Sequence, residues 1–282
     1  APLDRDRADA ALARALDDDR VDLVVAVGYG VGTLAAARTE RPARPLVAPW
    51  ALDRSLAGVG PRIQQTRVPD VRALADASLL SWPLDLLREL GPVRSLAIMA
   101  PPVIADLAAD APPRPDTSPH QADDLAVQWY PLPAGDPRAA VDRLAAGTDA
   151  VIVLAGHLTA DALDQLAGAL RERSLPAYAL DGRLPVRHGV LAGRIRQDGP
   201  RRLARRAALL IQGLLTGTGS PDLLPAVASG AHHLVNLDTV HELGLVLPRS
   251  LRLEVELLDA GPDPHAKALD LAGAMRRAAD VR

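Results

Sequence analysis

Short apolar runs that end in glycine-rich or polar loops are the places where this chain could do chemistry. The run 21–27 ends at Gly28, and similar runs end near residues 49, 100, 155 and 180. Such runs are typical of strands buried on both faces, and ligands of parallel sheets bind in the loops that follow the carboxyl ends of the strands. The candidate ligand-contacting residues in those loops are Tyr29, Gly30, Trp50, Pro101, His157, Thr159 and Asp181.

The residue types in these loops suit a small molecule that carries charge and a flat group. Backbone N–H groups at the turns before helices can hold a carboxylate. The carboxylate of Asp181 can pair with an ammonium group, and the rings of Tyr29 and Trp50 can stack on a planar ligand. Packing of Trp50 between two lobes is the alternative interpretation, and the sequence favours neither.

Glycine and histidine motifs have a ligand-binding interpretation and a structural one. The Gly28-x-Gly30-x-Gly32 motif differs in spacing from the G-x-G-x-x-G fingerprint of dinucleotide sites, so tight-turn glycines are favoured. His232 and His233 are consecutive, and consecutive side chains of a strand point to opposite faces. We therefore expect no metal site and no cofactor.

Composition excludes several other functions. The chain has 282 residues, no Cys, 2% aromatic residues and a formal net charge of -3. The absence of Cys excludes thiol catalysis, and the small net charge with few aromatic rings argues against nucleic acid as a partner. No Ser-His-Asp order or G-x-S-x-G elbow indicates a nucleophile. The basic segment around Arg205 and Arg206 is interpreted as a solvent-facing helix stripe. The sequence thus favours a binding protein over an enzyme.

Helical and strand patterns alternate along most of the chain. A βαβα series predicts an α/β fold with parallel sheets that carry helices on both faces. A boundary between two α/β units is predicted near residues 81–91. The predicted first lobe comprises residues 1–82 and part of 220–258, the second lobe comprises 83–219, and 259–282 form a C-terminal helical tail.

Segments in the last third of the chain carry a resemblance to a known family. They are GVLAG at 189–193, RLARRAAL at 202–209, VNLDTV at 235–240 and LGLVLP at 243–248. Together they resemble the C-terminal part of the ABC-transporter substrate-binding proteins whose best-known members bind aromatic amino acids. The most specific piece is the Asn-Leu-x-Thr-x-x-x-Leu-Gly-Leu-x-Leu-Pro arrangement that begins at Asn236.

Other segments extend the similarity over most of residues 10–258. The runs 21–28 and 94–100 look like strands of that family. The pair Arg205-Arg206 and the turn Gly182-Arg183 are typical of a branch associated with outer-membrane efflux factors of the TolC type.

The resemblance implies a periplasmic-binding-protein type 1 architecture, with two Rossmann-like lobes, a hinge and a ligand cleft. The family has a strand, a helix and a further strand before the point that matches residue 1, so a first lobe that is N-terminally incomplete is expected. The chain opens with Ala1-Pro2 and no initiator Met, as a processed exported protein or a trimmed chain would. The expected location is the periplasm.

The leading hypothesis is a periplasmic solute-binding protein of an ABC-type transport system. It would hold an amino-acid-like small molecule in the cleft between the lobes, act with a membrane transporter and catalyse nothing. One alternative is an accessory partner of an outer-membrane efflux component that binds no small molecule. A second alternative is a two-lobed, nucleotide-sugar-dependent transferase, although no glycine loop with a nearby basic residue supports it.

Overall fold

Helices and strands alternate in this computed structural model, as the sequence predicts. The structure describes residues 5–51, 70–75, 81–109, 125–196, 199–217 and 231–258. The helices are α1 (Arg5–Asp17), α2 (Tyr29–Ala36), α3 (Ser81–Leu90), α4 (Pro102–Ala109), α5 (Pro137–Asp142), α6 (Ala160–Glu172), α7 (Arg183–Arg187), α8 (Gly199–Thr216), α9 (Leu237–Glu242) and α10 (Arg249–Glu254). The strands are β1 (Val24–Val25), β2 (Leu46–Ala51), β3 (Val71–Ala75), β4 (Ser95–Ala100), β5 (Ala126–Pro131), β6 (Ala150–Val153), β7 (Ala177–Ala179), β8 (Ala192–Arg196), β9 (Ala231–Asn236) and β10 (Val255–Leu258). The tail that the sequence predicts at 259–282 lies outside the described residues.

The strands in the described part of the chain form two sheets, one in each lobe. The first sheet is parallel, in the order β1-β2-β3. The second sheet has the order β10-β9-β8-β7-β6-β4-β5, and every described pairing in it is parallel except that between β8 and β9. The predicted α/β class with parallel-dominated sheets is confirmed.

The central strands of the second sheet are apolar because helices cover both of their faces. All residues of β6 are buried. Its successive side chains alternate between two cores: Ile152 packs with the cluster that includes Leu87 of α3 and Ile104 of α4, whereas Val151 packs with the cluster that includes Leu166 of α6. Alternation of buried side chains along a doubly covered strand gives the continuous apolar run read from the sequence.

Two segments near the C-terminus pack or pair across the predicted lobe boundary. Helix α8, which the prediction placed in the second lobe, packs against β2 of the first sheet. Strands β9 and β10, within the stretch 220–258 assigned in part to the first lobe, pair in the second sheet. The physical reason is that α8 leaves β8 without returning over its own sheet, and β9 then adds to the edge of β8 in the antiparallel sense. An alternation of patterns does not show which sheet a helix covers.

The two lobes contact each other through apolar side chains. Helix α2 of the first lobe packs against α4 of the second. Leu34 of α2 and Ala8 of α1 are buried in the same cluster as Val103 and Ile104 of α4. This contact fixes α2 and α4 side by side. In the described part of the chain, no helix has both the length and the apolar character that a membrane crossing needs.

Candidate ligand site at the carboxyl edge of the second sheet

The order of the second sheet creates a crevice between β4 and β6. From β4 the chain moves outward to β5, and then it crosses back to β6 and continues to β7 and β8 on the other side. The loops after β4 and β6 therefore diverge, which is the point where open parallel sheets bind ligands. Pro101 follows β4, and Gly156 and His157 follow β6, so the sequence-predicted residues flank this crevice.

Pro101 shapes the entrance to α4 by its backbone. Its carbonyl oxygen accepts from the N–H groups of Ile104 at 2.8 Å and Ala105 at 3.1 Å. Pro102 is the first residue of α4, a position where the missing N–H of proline costs no helical hydrogen bond. Pro101 therefore starts the helix.

The loop after β6 is held to its neighbours by His157. The Nε2 atom lies 2.8 Å from the carbonyl oxygen of Leu132, just after β5, and it must carry a proton to donate to that oxygen. Burial lowers the pKa of His157 below its ordinary value, against the opposing effect of this hydrogen bond. The ring is therefore neutral at pH 7, with Nδ1 as its acceptor. Thr159 is the N-cap of α6, and its hydroxyl accepts from the N–H of Ala162 at 3.4 Å.

Asp181 joins the loops after β6 and β7. Its Oδ2 atom accepts from the N–H of Gly156 at 2.7 Å. Burial raises the pKa of Asp181 to about 6, although hydrogen bonds from the N–H groups of Gly156 and Ala155 oppose the rise. Asp181 follows β7, as the sequence predicts, and its carboxylate accepts hydrogen bonds from the backbone N–H groups that a ligand carboxylate would use.

The first lobe supplies Tyr29 and Gly30 at the start of α2. Gly28 precedes them with φ 100°, a left-handed conformation that favours glycine, and its carbonyl oxygen accepts from the N–H of Gly32 at 2.8 Å. The half-buried ring of Tyr29 packs against the buried cluster of the second lobe. Trp50 lies on β2 between Ala48 and Ala51, where the pairing with β3 shifts register, and the structure describes its backbone only.

The structure therefore groups the predicted residues by lobe. His157, Thr159 and Asp181 share adjacent loops of the second lobe, and Pro101 lies across the crevice from them. Tyr29 and Gly30 belong to the first lobe, on the side of the α2–α4 contact. Asp181 contributes a negative charge beside the crevice, which suits a cationic group on a ligand better than an anionic one.

A second polar cluster was missed by sequence reasoning. The rings of Trp82 and His233 are stacked, with centroids 4.0 Å apart and an interplanar angle of 28°. The Tyr178 hydroxyl lies 2.9 Å from Nδ1 of His233, and the guanidinium carbon of Arg194 lies 5.5 Å from the centroid of the Trp82 ring. Arg194 and His233 are paired across β8 and β9. The one sequence signal was His232-His233: as predicted, the two side chains have different partners, since Nε2 of His232 lies 2.9 Å from Glu256.

The motif that carries the family resemblance forms a buried capping network. Asn236 is the N-cap of α9: its Oδ1 accepts from the N–H of Thr239 at 3.1 Å, and its Nδ2 donates to the carbonyl oxygen of Val186 at 2.8 Å. The Thr239 hydroxyl donates to the carbonyl oxygen of Gly189 at 3.1 Å. These bonds fasten α9 to the turn between α7 and β8. The motif therefore supports the fold and lies on no ligand-facing loop of the crevice.

Comparison with solved structures identifies the fold. A conserved domain protein from Vibrio cholerae matches with a TM-score of 0.62 at 17% identity, over 90% of this chain and 83% of that chain. An ABC domain in complex with L-Trp from Streptococcus pneumonia matches with a TM-score of 0.60 at 17% identity, over 90% of this chain and 86% of that chain. A ligand-free, open substrate-binding protein with adhesive properties from Clostridium difficile aligns with a TM-score of 0.45 at 16% identity, over 92% of this chain and 84% of that chain.

No family model matches the chain, and no curated protein matches it significantly. The comparison of folds therefore rests on the first two structures. With them the chain shares a periplasmic-binding-protein-like α/β fold of two lobes with parallel-dominated sheets.

Proposed function

We propose that the protein is a solute-binding protein that takes an amino-acid-like small molecule between its lobes and catalyses nothing. The observation that carries the proposal is the switch point of the second sheet between β4 and β6, with Pro101 and His157 in the loops on its two sides and Asp181 bonded to Gly156 beside His157. A fold neighbour holds L-Trp, which supports an amino acid as the class of ligand.

The chemistry of the crevice favours the ammonium group of an amino acid at the second lobe. Asp181 supplies a half-buried carboxylate whose pKa burial raises, and no cationic side chain is among the causes that set this pKa. An ammonium group would neutralise that charge. The ring of Tyr29 on the first lobe lies where the lobes face each other and can cover the apolar part of the ligand. A ligand that contacts both lobes favours their closed arrangement.

The proposed binding function belongs to a transport process. We propose that the protein is exported, works in the periplasm and delivers its ligand to a membrane transporter of the ABC type. The support is the resemblance of residues 181–258 to the substrate-binding proteins of such systems. The ABC domain with bound L-Trp supports it at the level of fold.

The apolar contact between the lobes supports a second candidate function. The contact between α2 and α4 is apolar, and it buries Leu34 and Ala8 in the core of the second lobe. A protein whose lobes are held together in this way needs no ligand to stay closed. We propose, as the alternative, an accessory partner of an outer-membrane efflux system that binds no small molecule.

Ligand-dependent thermal stability separates the two candidates. The protein is melted alone and with each of the common L-amino acids, L-Trp included, at pH 7.5. Binding to the native state alone stabilises by about 2.7 kcal/mol at a ligand concentration of 100 times Kd, which gives a clear rise in Tm. An amino acid that raises Tm is then titrated by calorimetry.

Matched variants show where the ligand binds. Asp181→Asn and Tyr29→Ala are expected to weaken binding at least tenfold, whereas His241→Ala, at an exposed position of α9, is expected to leave Kd unchanged. If no amino acid raises Tm, the solute-binding proposal is wrong and the accessory candidate is favoured.

A further inference from the structure

The two lobes repeat one local arrangement of helices and strands. In the second lobe α5, β6, α6 and β7 follow one another, and in the first lobe α1, β1, α2 and β2 do. The two helices of each set contact each other, and the two strands pair in parallel. The N–H of Val151 donates to the carbonyl oxygen of Pro176 at 2.9 Å, and the N–H of Val24 donates to that of Pro45 at the same distance. Strand β1 is therefore the counterpart of β6.

One face of each strand is covered in the same way. Val151 and Val153 lie in a buried cluster with side chains of α5 and α6. Their counterparts, Val24 and Ala26, lie in a buried cluster with Leu12 of α1 and a side chain of α2. The two strands therefore have equivalent environments on this face.

The opposite faces of the two strands differ. Ile152 and Leu154 are buried in a cluster that includes side chains of α3 and α4. Their counterparts, Val25 and Val27, are exposed: 64% of Val27 is accessible, against 2% of Leu154. An apolar surface that is covered in the second lobe is thus open in the first.

The outer edge of β1 is also open within the described part of the chain. Strand β6 pairs with β4 on one side and with β7 on the other, whereas β1 stands at the end of the order β1-β2-β3. The N–H groups of Val24 and Ala26 donate towards β2, so the backbone groups of Val25 point to the free edge. Such an edge, with apolar side chains on it, is a template for a further strand.

An acidic residue before each strand completes the correspondence. Asp149 precedes β6, and its carboxylate accepts from the N–H groups of Arg94 and Ser95 at the start of β4, each at 2.8 Å. Asp22 stands two residues before Val24, the spacing that Asp149 has from the counterpart of Val24, and it is exposed. Its carboxylate can accept from the first N–H groups of a strand on the free edge, as that of Asp149 does.

Helix α8 borders the same side of the first sheet. It packs on β2 as α3 packs on β7, the counterpart of β2. In the second lobe, Leu87 of α3 and Ile104 of α4 belong to one buried cluster. Leu209 and Leu215 of α8 are exposed instead. These side chains suit an apolar helix that packs beside α8 as α4 packs beside α3.

We propose that the free edge of β1, with Asp22, Val25 and Val27, is a docking site for a strand–helix segment of a partner polypeptide. The strand runs parallel to β1 and begins at Asp22, and the helix covers the two valines. The chemistry of the segment is that of β4 and α4, an apolar strand that adds to the sheet by main-chain hydrogen bonds and an apolar helix. The segment extends the first sheet and the packing of α8 on it. The site lies outside the crevice, so it does not depend on the solute-binding function.

A peptide that copies β4 and α4 is the probe. It has the sequence of residues 94–109, RSLAIMAPPVIADLAA, followed by two lysines for solubility and a fluorescent label. Binding to the full chain is measured by fluorescence anisotropy, and amide hydrogen exchange is followed by mass spectrometry. We expect saturable binding and slower exchange in residues 22–27, and neither with a scrambled peptide of the same composition. If the peptide does not bind, or binds without slower exchange there, the docking proposal is overturned.

Variants at exposed positions locate the contact. Asp22→Ala, Val27→Lys and Leu209→Lys are each expected to weaken peptide binding about tenfold. Asp142→Ala and Leu253→Lys change the same residue types at exposed positions of the second lobe and should leave Kd unchanged. Equal losses in the two groups would overturn the proposal. Should Val27→Lys fail to fold, Asp22→Ala and Leu209→Lys decide the matter.

A disulfide tests the direction of the added strand. The chain has no Cys, so Val27→Cys supplies a single thiol. Position 100 of the peptide is expected beside residue 27, because the register Ile98↔Ile152 places Ala100 beside Leu154, the counterpart of Val27. Oxidation should therefore couple the peptide with Cys at position 100 and not the one with Cys at position 96. The reverse preference contradicts a parallel strand.

Sedimentation velocity of the protein alone completes the test. The proposal expects a wild-type sedimentation coefficient that does not change with concentration and equals that of Val27→Lys. If wild type forms a dimer that Val27→Lys dissociates, a second copy occupies the edge and the partner proposal is wrong. Because no amino acid is present in these measurements, failure of the solute-binding function would leave their outcome unaffected.

Discussion

The carboxylate of Asp181 accepts a hydrogen bond from the backbone N–H of Gly156, with Oδ2 2.7 Å from the nitrogen. A Cβ atom added at Gly156 would lie 3.3 Å from Cγ of Asp181, so the approach of the two loops leaves little room for a larger residue. Burial raises the pKa of Asp181 to about 6, and the N–H bonds of Gly156 and Ala155 only partly offset this. At pH 7 the carboxyl of Asp181 is still ionised, and burial makes that charge cost more free energy in the folded protein than in the unfolded chain.

Asp181→Asn is expected to stabilise the protein at pH 8. The native pKa lies above the unfolded value of 3.8, so the native state binds its proton more tightly, and wild-type stability falls as pH rises through about 6. One pKa unit is equivalent to about 1.4 kcal/mol, and contact with solvent reduces the gain to about 1 kcal/mol. Urea unfolding at pH 5 and pH 8 measures this. A variant less stable than wild type at pH 8 would contradict it.

Asp149 changes the pH dependence of stability in the direction opposite to Asp181. Its Oδ2 accepts from the N–H groups of Arg94 and Ser95, each at 2.8 Å, and these bonds hold the pKa of Asp149 below its ordinary value. The stability that Asp149 contributes is present above the unfolded pKa of about 3.9 and is lost as pH falls below it. Asp149→Asn should therefore cost about 1 kcal/mol or less at pH 7, because the group is exposed. The difference from wild type should shrink as the pH falls below the unfolded pKa and Asp149 becomes protonated, as acid-dependent unfolding can show.

The strands of the second sheet were predictable because a strand that is buried on both faces has a continuous run of apolar residues. Apart from Ser95 at the start of β4, the runs that form β4 and β6 are apolar, and the loops after them contain the predicted Pro101 and His157. The position of Asp181 followed from the same reasoning. Its contact with Gly156 did not, because a carboxylate after a strand looks the same whether it faces a ligand or a neighbouring loop.

The lobe assignment of the C-terminal third was not predictable from local patterns. The amphipathic pattern of α8 shows which face of the helix is buried, but it does not show whether that face packs on the first sheet or the second. The cluster around His233 was missed for a similar reason. Trp82, Arg194 and His233 are far apart in sequence, and only the pairing of β8 with β9 brings them together.

Gly193→Ala is expected to destabilise the protein strongly. A Cβ atom there would lie 2.5 Å from Cγ2 of Val186, 3.1 Å from the carbonyl oxygen of Gly182 and 3.3 Å from that of Ala179. Backbone atoms cannot move aside cheaply, so we expect a loss of about 1–3 kcal/mol in urea unfolding. Gly168→Ala is the matched control: it lies within α6 with nothing within 4 Å of the added Cβ, and should gain up to about 1 kcal/mol. Equal effects at the two glycines would contradict the steric argument.

Asn236→Ala is expected to cost about 2 kcal/mol in unfolding free energy. The substitution removes the N-cap of α9 and one of two donors to the carbonyl oxygen of Val186, which keeps the N–H of Gly189. Thr239→Val removes one further bond, to the carbonyl oxygen of Gly189, and should cost about 1 kcal/mol. Because both residues fasten the same turn, the double variant should lose less than the sum of the two single losses. Strict additivity would show that the two bonds act independently.

Protonation of His233 is expected to lower the stability of the protein in mild acid. Burial lowers the pKa of His233 to about 4, with the charges of Arg194 and His232 acting in the same direction. The groups that face its ring are Arg194 on β8, the neutral Tyr178 hydroxyl on β7 and the indole of Trp82 on α3, while His232 points away to Glu256.

The native state thus binds fewer protons than the unfolded chain between pH 4 and pH 6.5, the ordinary pKa of histidine. The stability due to neutral His233 is therefore fully present above pH 6.5 and is lost as pH falls towards 4. For wild type, protonation of His233 should lower the free energy of unfolding by about 2 kcal/mol between pH 7 and pH 4, since the ring is mostly withdrawn from water. His233→Asn has no group that titrates there, so its free energy of unfolding should lack this decrease. Comparison with Asp181→Asn separates the two titrations, because acid favours the folded state at Asp181 and opposes it at His233. A pH dependence of His233→Asn identical to that of wild type would show that the ring is protonated freely in the folded protein.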